Sequence, residues 1–209
     1  AIPFFEQTRA LAVEGFADSL ALAESSKGWE ARALLLSGEH VAALHRYAEI
    51  FPEPQVNLGR ACAIALSAQE LDPQLATDSF SRKLVTAWLT AHPAAKNEAM
   101  NWLSFLDKAR PQDVTEDADR LAWIAYQQGD YEASQRWLEH CDPKAPYGQW
   151  VRAKLLARAG KFAEASTLLE PLANTFPQDE FSRVEALEYD NYTAEFSAAR
   201  VRDDLGKAL

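Results

Sequence analysis

The sequence predicts an all-α chain in which short helices pair into hairpins. Apolar residues recur at helical spacing along most of the 209 residues, and little of the chain alternates as a strand would. Prolines and glycines interrupt this periodicity at short intervals, which leaves only tight connections between successive helices. Because short connections make neighbouring helices antiparallel, we expect the chain to form a stack of helix hairpins.

Eleven helices are predicted, each bounded by one of these interruptions. The prolines fall in the proposed breaks or in the first turn of a helix, where the missing N–H group is not needed for an intrahelical bond. The predicted helices span residues 3–24, 29–36, 41–51, 55–70, 74–91, 94–108, 115–128, 131–140, 147–159, 162–175 and 179–207.

Three of the predicted hairpins align on a central glycine, which is Gly38, Gly129 or Gly160. Small or apolar residues stand seven and four positions before each glycine and five and nine positions after it, and an aromatic residue or histidine stands two positions after it. Small residues allow two helices to cross closely, and glycine allows the turn between them. The aromatic residue is expected to pack back over the hairpin. The residues at these positions are Ala31, Leu34, His40, Ala43 and Tyr47, then Ala122, Ala125, Tyr131, Ser134 and Leu138, then Ala153, Leu156, Phe162, Ala165 and Leu169.

Two segments carry this pattern most completely, Ala-Tyr-Gln-Gln-Gly-Asp-Tyr-Glu-Ala-Ser (125–134) and Ala-Arg-Ala-Gly-Lys-Phe-Ala-Glu-Ala (157–165). They closely resemble the tetratricopeptide repeat (TPR) family, and their glycines are 31 residues apart, near the ~34-residue period of that family. The resemblance implies an α-α superhelix, a TPR-like solenoid of about five antiparallel helix hairpins plus a C-terminal capping helix, in a single domain over residues 1–209. The implied repeats are 115–145 and 146–178, a less complete match at 27–52, degenerate repeats at 54–110 and a capping helix at 179–209.

The resemblance is imperfect at residues 27–52, where His40 replaces the usual aromatic residue and Glu30 takes a normally apolar place. Two other segments allow two interpretations each. Residues 14–20 repeat part of the turn pattern but also suit the interior of one long helix. Residues 179–209 carry a heptad stripe, which suits a capping helix or a helix that pairs with a second subunit, with Asn191 fixing the register. The stripe consists of Val184, Leu187, Asn191, Ala194, Ala198, Val201 and Leu205.

The charge and composition argue for a soluble protein that does not bind nucleic acid. The net charge is −10, and no apolar run approaches the ~18 residues that a membrane span needs. The acidic charge would help to attract a basic partner. Cys62 and Cys141 are predicted to be small core residues without a disulfide. The chain begins at Ala1 without an initiator Met, so a removed signal peptide and a trimmed start are both open, and the compartment is cytoplasmic or periplasmic.

Catalytic and metal-binding motifs are not found in the sequence. It contains no glycine-rich phosphate loop, no GxSxG turn, no HExxH and no paired CxxC, and its four histidines are scattered over different hairpins. A cluster of carboxylates at 113–119 suits a helix N-terminus, where negative charge is favourable. We therefore predict that the protein is not an enzyme and that it has no metal and no cofactor.

The resemblance implies that a partner protein binds on the inner face of the first helix in each hairpin. Trp, Tyr and Arg dominate binding hot spots, and this face is rich in them. The alternative for Trp123, Tyr126 and Trp150 is packing between hairpins. The face does not match TPR domains that bind a C-terminal carboxylate, because Asp119 and Trp123 stand where those have Lys and Asn. The predicted partner-binding residues are Trp29, Arg32, Arg120, Trp123, Tyr126, Gln127, Tyr147, Trp150, Lys154 and Arg158.

These observations favour a protein–protein interaction module that binds a peptide or helix of a partner in a concave groove. It would serve as an assembly factor, an adaptor or a chaperone-like protein, for example in a bacterium. Two alternatives are a structural section of a larger scaffold and a subunit that self-associates through residues 179–209.

Overall fold

The computed structural model describes residues 1–18, 21–50, 55–109 and 116–173 of the chain. Within these residues it contains eleven α-helices and no β-strand, which confirms the predicted all-α fold. The helices are α1 (Ile2–Val13), α2 (Leu22–Ser37), α3 (His40–Glu49), α4 (Gln55–Leu66), α5 (Gln74–Thr77), α6 (Ser79–Ala91), α7 (Lys96–Ala109), α8 (Ala118–Gln127), α9 (Tyr131–Glu139), α10 (Pro146–Arg158) and α11 (Phe162–Ala173).

The chain divides into two compact units, Ala1–Val85 and Thr86–Leu209, called here the N-terminal and C-terminal units. Within the N-terminal unit each of the first three helices packs on the next one along the chain. In the C-terminal unit α8 pairs with α9, α10 pairs with α11, and α8 also packs on α10. The pairs α2 with α3, α8 with α9 and α10 with α11 are the three hairpins predicted from the aligned glycines. That residues 1–209 form a single domain stays a prediction.

The turns at the three aligned glycines are built in the same way. Gly38, Gly129 and Gly160 have φ values of +86°, +82° and +77°, in the left-handed region that glycine enters without strain. At each turn the glycine N–H donates to the carbonyl three residues earlier, at 3.0–3.3 Å. The following N–H donates to the carbonyl five residues before it, at 2.9–3.0 Å. These two bonds satisfy carbonyl groups at the end of the first helix, which explains why the glycine recurs there.

Gly15 forms a fourth turn of this kind and decides between the two interpretations of residues 14–20. Its φ is +93°, and the same pair of backbone hydrogen bonds surrounds it. The side chain of Asp18 then accepts hydrogen bonds from the N–H groups of Leu22 and Ala23, at 2.7 and 2.8 Å, and so caps the start of α2. The prediction of one helix over 3–24 is therefore wrong, because the left-handed glycine ends α1 and the aspartate begins α2.

The small residues of the aligned hairpins are buried, as expected for residues between packed helices. Their side chains are between 0% and 3% exposed at Ala31, Ala43, Ala122, Ser134, Ala153 and Ala165. The aromatic position behaves differently in the two best-matching hairpins. The ring of Tyr131 lies 5.4 Å from that of Tyr126, whereas Phe162 is 70% exposed and makes no ring contact among the described residues. The expectation that Phe162 packs over its hairpin is therefore wrong.

The predicted helix over 74–91 is divided in two at Asp78. This residue takes an extended conformation, with φ −77° and ψ 108°, between α5 and α6. Its carboxylate accepts a hydrogen bond from the N–H of Ser81 at 2.8 Å, so it caps α6 instead of continuing α5. Desolvation acts to raise the pKa of Asp78, but hydrogen bonds from Ser81 and His45 outweigh it and lower the pKa.

Both cysteines are buried and free, as the sequence predicts. Burial raises the pKa of the Cys62 thiol to about 12. The predicted helix over 179–207, with its heptad stripe and the proposed pairing with a second subunit, lies outside the described residues. No helix of the described residues combines the length and the apolar character needed to cross a membrane.

Glu30 occupies its normally apolar place as the centre of a buried ion-pair network. Its side chain is 3% exposed, and its two carboxylate oxygens meet Arg9 of α1 at 2.5 Å and Arg46 of α3 at 3.2 Å. Two guanidinium groups therefore compensate the charge that the helix crossing buries. The network ties α1, α2 and α3 together through one side chain.

Substitution of Gly160 by alanine is expected to destabilise the protein by about 1–2 kcal/mol, because an L side chain is strained at positive φ. No atom lies within 4 Å of the added Cβ, so backbone strain alone would cause the loss. The matched control is Gly28→Ala inside α2, where φ is not positive and the nearest atom to the added Cβ is 4.0 Å away. We expect this control to stabilise by about 0.5–1 kcal/mol. Chemical denaturation measures both, and shifts of the same sign would contradict the assignment of Gly160 as a turn glycine.

Substitution of Glu30 by glutamine is expected to lower the free energy of unfolding by roughly 3 kcal/mol, because it leaves Arg9 and Arg46 without their shared carboxylate. The control is Glu24→Gln, which removes an ion pair of 2.8 Å with Lys27 at a side chain that is 69% exposed. An exposed pair of this kind contributes less than about 1 kcal/mol. Equal losses in the two variants, measured by urea denaturation, would show that the network of Glu30 does not stabilise the fold.

Candidate functional site

The candidate site lies in the C-terminal unit, on the first helices of two neighbouring hairpins. Trp123 and Tyr126 stand three residues apart on α8, and Trp150 and Lys154 stand four apart on α10, so each pair lies on one face of its helix. Because α8 packs on α10, the two faces meet. We call these four side chains the α8–α10 cluster.

Stacked rings form the framework of the α8–α10 cluster. The rings of Trp123 and Trp150 are 4.4 Å apart and tilted by 51°, which joins α8 to α10. Trp123 also stacks on Tyr126 at 5.6 Å, and Trp150 contacts Tyr147 at 5.4 Å. Aromatic pairs at such distances contribute about 0.5–1.5 kcal/mol beyond the area they bury. The rings are therefore held in place by one another.

The two indoles of the cluster differ in exposure. Trp150 is 1% exposed, whereas Trp123 and Tyr126 are half-buried and keep a surface toward solvent. In this conformation the ring of Trp150 cannot contact a partner directly. It packs against the ring of Trp123 and so helps to hold that ring in place. Each of the two interpretations of the aromatic residues therefore holds for part of the set. Trp150 packs between the hairpins, whereas Trp123 and Tyr126 keep a surface that a partner could contact.

Lys154 places its ammonium group among the three rings. Its Nζ lies 4.7 Å from the ring centre of Trp150, 5.6 Å from that of Trp123 and 5.9 Å from that of Tyr126. At these distances the negative faces of the rings attract the cation. Desolvation by burial lowers the pKa of Lys154. Among the described residues, no carboxylate lies within ion-pair distance of this ammonium group.

Arg158 extends the cluster by one helical turn. Its guanidinium carbon lies 3.9 Å above the ring of Tyr131, which in turn meets the ring of Tyr126 edge-on. The sequence predicted a contact surface that includes Arg158 and missed Tyr131, which it assigned only to the hairpin turn. The sequence did contain a signal for Tyr131, because this residue follows the turn glycine of its hairpin. In the structure that position lies close to the last turn of α10, the first helix of the next hairpin.

The remaining predicted residues are more scattered. Arg120 is exposed on α8, and the side-chain Oε1 of Gln127 is buried without a hydrogen-bond partner. Trp29 and Arg32 are exposed on α2 in the N-terminal unit, where Trp29 is 60% exposed. The structure thus brings Trp123, Tyr126, Tyr147, Trp150 and Lys154 together through direct contacts, and Tyr131 links Arg158 to Tyr126.

A half-buried carboxyl group, Asp119, was not anticipated from the sequence. Desolvation raises its pKa, although its Oδ1 accepts a hydrogen bond from the N–H of Arg120 at 2.8 Å. The thiol of Cys141 lies nearby, and desolvation followed by the charge of Asp119 raises its pKa as well. A thiol that is held protonated is a poor nucleophile. This pair therefore does not resemble an activated catalytic cysteine.

Two other features of the described residues bear on chemistry. No group of three or more His, Cys, Asp or Glu side chains there is arranged to hold a metal ion. An open groove of about 670 Å³ lies between α9, α10 and α11 and includes none of the α8–α10 cluster. Its lining is mostly apolar, with Leu138, Leu155 and Leu168 contributed by the three helices.

Substitution of Trp150 by alanine is expected to destabilise the C-terminal unit by about 3–5 kcal/mol, because it opens a cavity beneath Trp123 and Lys154. The matched control is Trp29→Ala, since this indole is 60% exposed and should change the free energy of unfolding by no more than about 0.5 kcal/mol. Denaturation followed by circular dichroism would measure both. Similar small losses would contradict a supporting role for Trp150.

The comparisons with known proteins concern the same part of the chain. Residues 120–140 and 146–171 match the family model for the tetratricopeptide repeat, and they contain α8 with α9 and α10 with α11. Comparison with curated proteins and with solved structures gives no match. Repeats of this family generally mediate protein–protein interaction and are typically not enzymes. Together with the turns at Gly129 and Gly160, these matches support the assignment of residues 120–171 to the tetratricopeptide repeat family.

Proposed function

We propose that this protein is an interaction module whose α8–α10 cluster, extended by Arg158, binds a peptide or helix of a partner protein. The observation that carries the proposal is the half-exposed pair Trp123 and Tyr126, held over the buried Trp150. Trp, Tyr and Arg are the residue types in which binding energy concentrates, because they bury a large area and keep a polar group.

The rigidity of this surface supports the proposal further. Ordering a side chain at an interface opposes binding by about 0.5–1.5 kcal/mol. The rings of Trp123 and Tyr126 are already ordered by stacking, and Lys154 and Arg158 are already placed over rings. Binding would therefore not have to order these four side chains. Tyr147, which contacts the ring of Trp150, would form part of the rim. Arg120 and Gln127 stand three residues before and four after Trp123 on α8, so we place them on the same side of the helix.

A binding role fits the chemistry better than catalysis does. The carboxyl group of Asp119 and the thiol of Cys141 have raised pKa values, so desolvation favours their neutral forms. We assign them to packing between hairpins. The proposed role is that of an assembly factor, an adaptor or a chaperone-like protein, in which one protein is held without being changed.

The second candidate is a structural section of a larger scaffold, and exposed apolar residues of the N-terminal unit favour it. Phe4 is 72% and Val13 is 89% exposed on α1, and Trp29 is also exposed. Such a surface suits a contact with a further protein chain. Light scattering over a range of protein concentrations tests self-association directly, and a monomer at every concentration would remove that form of the hypothesis.

The double substitution Trp123→Ala and Arg158→Glu is expected to abolish partner capture without unfolding the protein, because it removes an accessible ring and reverses an exposed charge. The measurement is a quantitative pull-down from the native source followed by mass spectrometry. The matched control is Phe162→Ala with Lys161→Glu, which removes an exposed ring and reverses an exposed charge outside the cluster. Capture of the same proteins by the cluster variant and the wild type would contradict the proposal, as would loss of capture in the control alone.

A further inference from the structure

We propose that the bound partner segment is acidic and places an aspartate or glutamate carboxylate between Lys154 and Arg158. This inference rests on the proposed function and adds the chemical class of the ligand. The two cations stand four residues apart on α10, so they occupy the same face on consecutive turns. Both are held over rings, Lys154 over Trp150 and Arg158 over Tyr131.

Several other cations of the described residues have an acidic neighbour. Lys27 pairs with Glu24, Arg136 pairs with Asp107, and Lys161 pairs with Glu164. Lys154 and Arg158 have no carboxylate within 4.0 Å among the described residues. The same holds for Arg120 and Lys144, but Lys154 and Arg158 differ from these in being held over aromatic rings. The rings attract the two charges but cannot accept the directed hydrogen bonds that ammonium and guanidinium groups donate. The pair is therefore left with donors and without an anion.

Two acidic residues of the neighbouring hairpin, Asp119 and Asp130, have other partners. Asp119 accepts a hydrogen bond from the backbone of Arg120, and burial raises its pKa. The carboxylate of Asp130 accepts from the N–H of Ala133 at 2.9 Å and so caps α9. Neither carboxylate forms an ion pair with Lys154 or Arg158, although the whole chain carries a net charge of −10.

A carboxylate is the ligand group that this arrangement suits. Arginine offers a planar fork of donors to a carboxylate, and lysine adds a second charge-assisted bond beside it. The half-exposed rings of Trp123 and Tyr126 lie next to the cations and would cover the apolar part of the same segment. A basic segment would instead have to displace Lys154 from the rings against its positive charge.

The test is a selection of 12-residue peptides from a random phage-displayed library on the full-length protein. Three proteins are compared: the wild type, the variant Lys154→Met with Arg158→Met, and the control Lys144→Met with Lys161→Met. Both variants lose two positive charges, but only the first loses them at the cluster, and methionine keeps an apolar stem there. Circular dichroism verifies that all three are folded.

The expected result is a set of peptides rich in Asp and Glu that is enriched on the wild type and on the control but not on the cluster variant. One enriched peptide is then synthesised in two forms, one with its Asp and Glu residues and one with Asn and Gln in their places. Each form is titrated into the protein, and binding is followed by tryptophan fluorescence. We expect the amide form to bind about tenfold more weakly or worse, since hydrogen bonds to a charged group are stronger than those between neutral groups. The acidic form should also weaken as salt is raised.

The two proposals fail in different ways. If neutral or basic peptides were enriched on the wild type and the control but not on the cluster variant, the proposal of an acidic ligand would be wrong. The proposal that the cluster is a binding surface would still hold. Equal binding of the acidic and amide peptides would lead to the same conclusion. Enrichment of the same peptides on the cluster variant, or no enrichment on any of the three proteins, would count against the binding face itself.

Discussion

The arrangement of the candidate site depends on the burial of one indole, that of Trp150. Its ring contacts the ring of Trp123, the ammonium group of Lys154 and the ring of Tyr147. This packing requires close approach of α10 to its neighbours. A Cβ at Gly148 would lie only 2.6 Å from the sulfur of Cys141, so no larger residue fits there without a shift. Helix α10 is thus packed closely at two points, through Trp150 against Trp123 and through Gly148 against Cys141.

Local features of this fold follow from the sequence because short segments encode them. A glycine with small residues at fixed distances marks a left-handed turn between crossing helices, and Gly38, Gly129 and Gly160 all form that turn. The break at Asp78 was missed because an aspartate in a helical pattern reads as a surface residue unless its capping bond is known. The predicted face on α8 and α10 was also encoded locally, by residues three and four apart.

The solvent exposure of individual side chains, unlike the turns and helix faces, does not follow from short segments of the sequence. Spacing alone places Trp123 and Trp150 on equivalent inner faces, yet only one of them keeps a surface toward solvent. The difference arises from the crossing of α8 and α10, which involves residues 27 positions apart in sequence. Buried charge is equally non-local. Glu30 lies between arginines from two other helices, while desolvation raises the pKa of Asp119. No pattern within a single helix separates these two outcomes.

The net charge of the chain and the charges at the candidate site have opposite signs. An acidic chain would be expected to attract basic partners through its overall field, which acts over a Debye length of about 10 Å or less in physiological salt. Contact, however, is decided at shorter range, where Lys154 and Arg158 present donors that the rings beneath them cannot satisfy. The stacked rings hold the two cations where neighbouring carboxylates do not reach them. A surface of this kind favours partners that complement its unpaired groups. Here those groups are two positive charges, which lie beside two accessible rings.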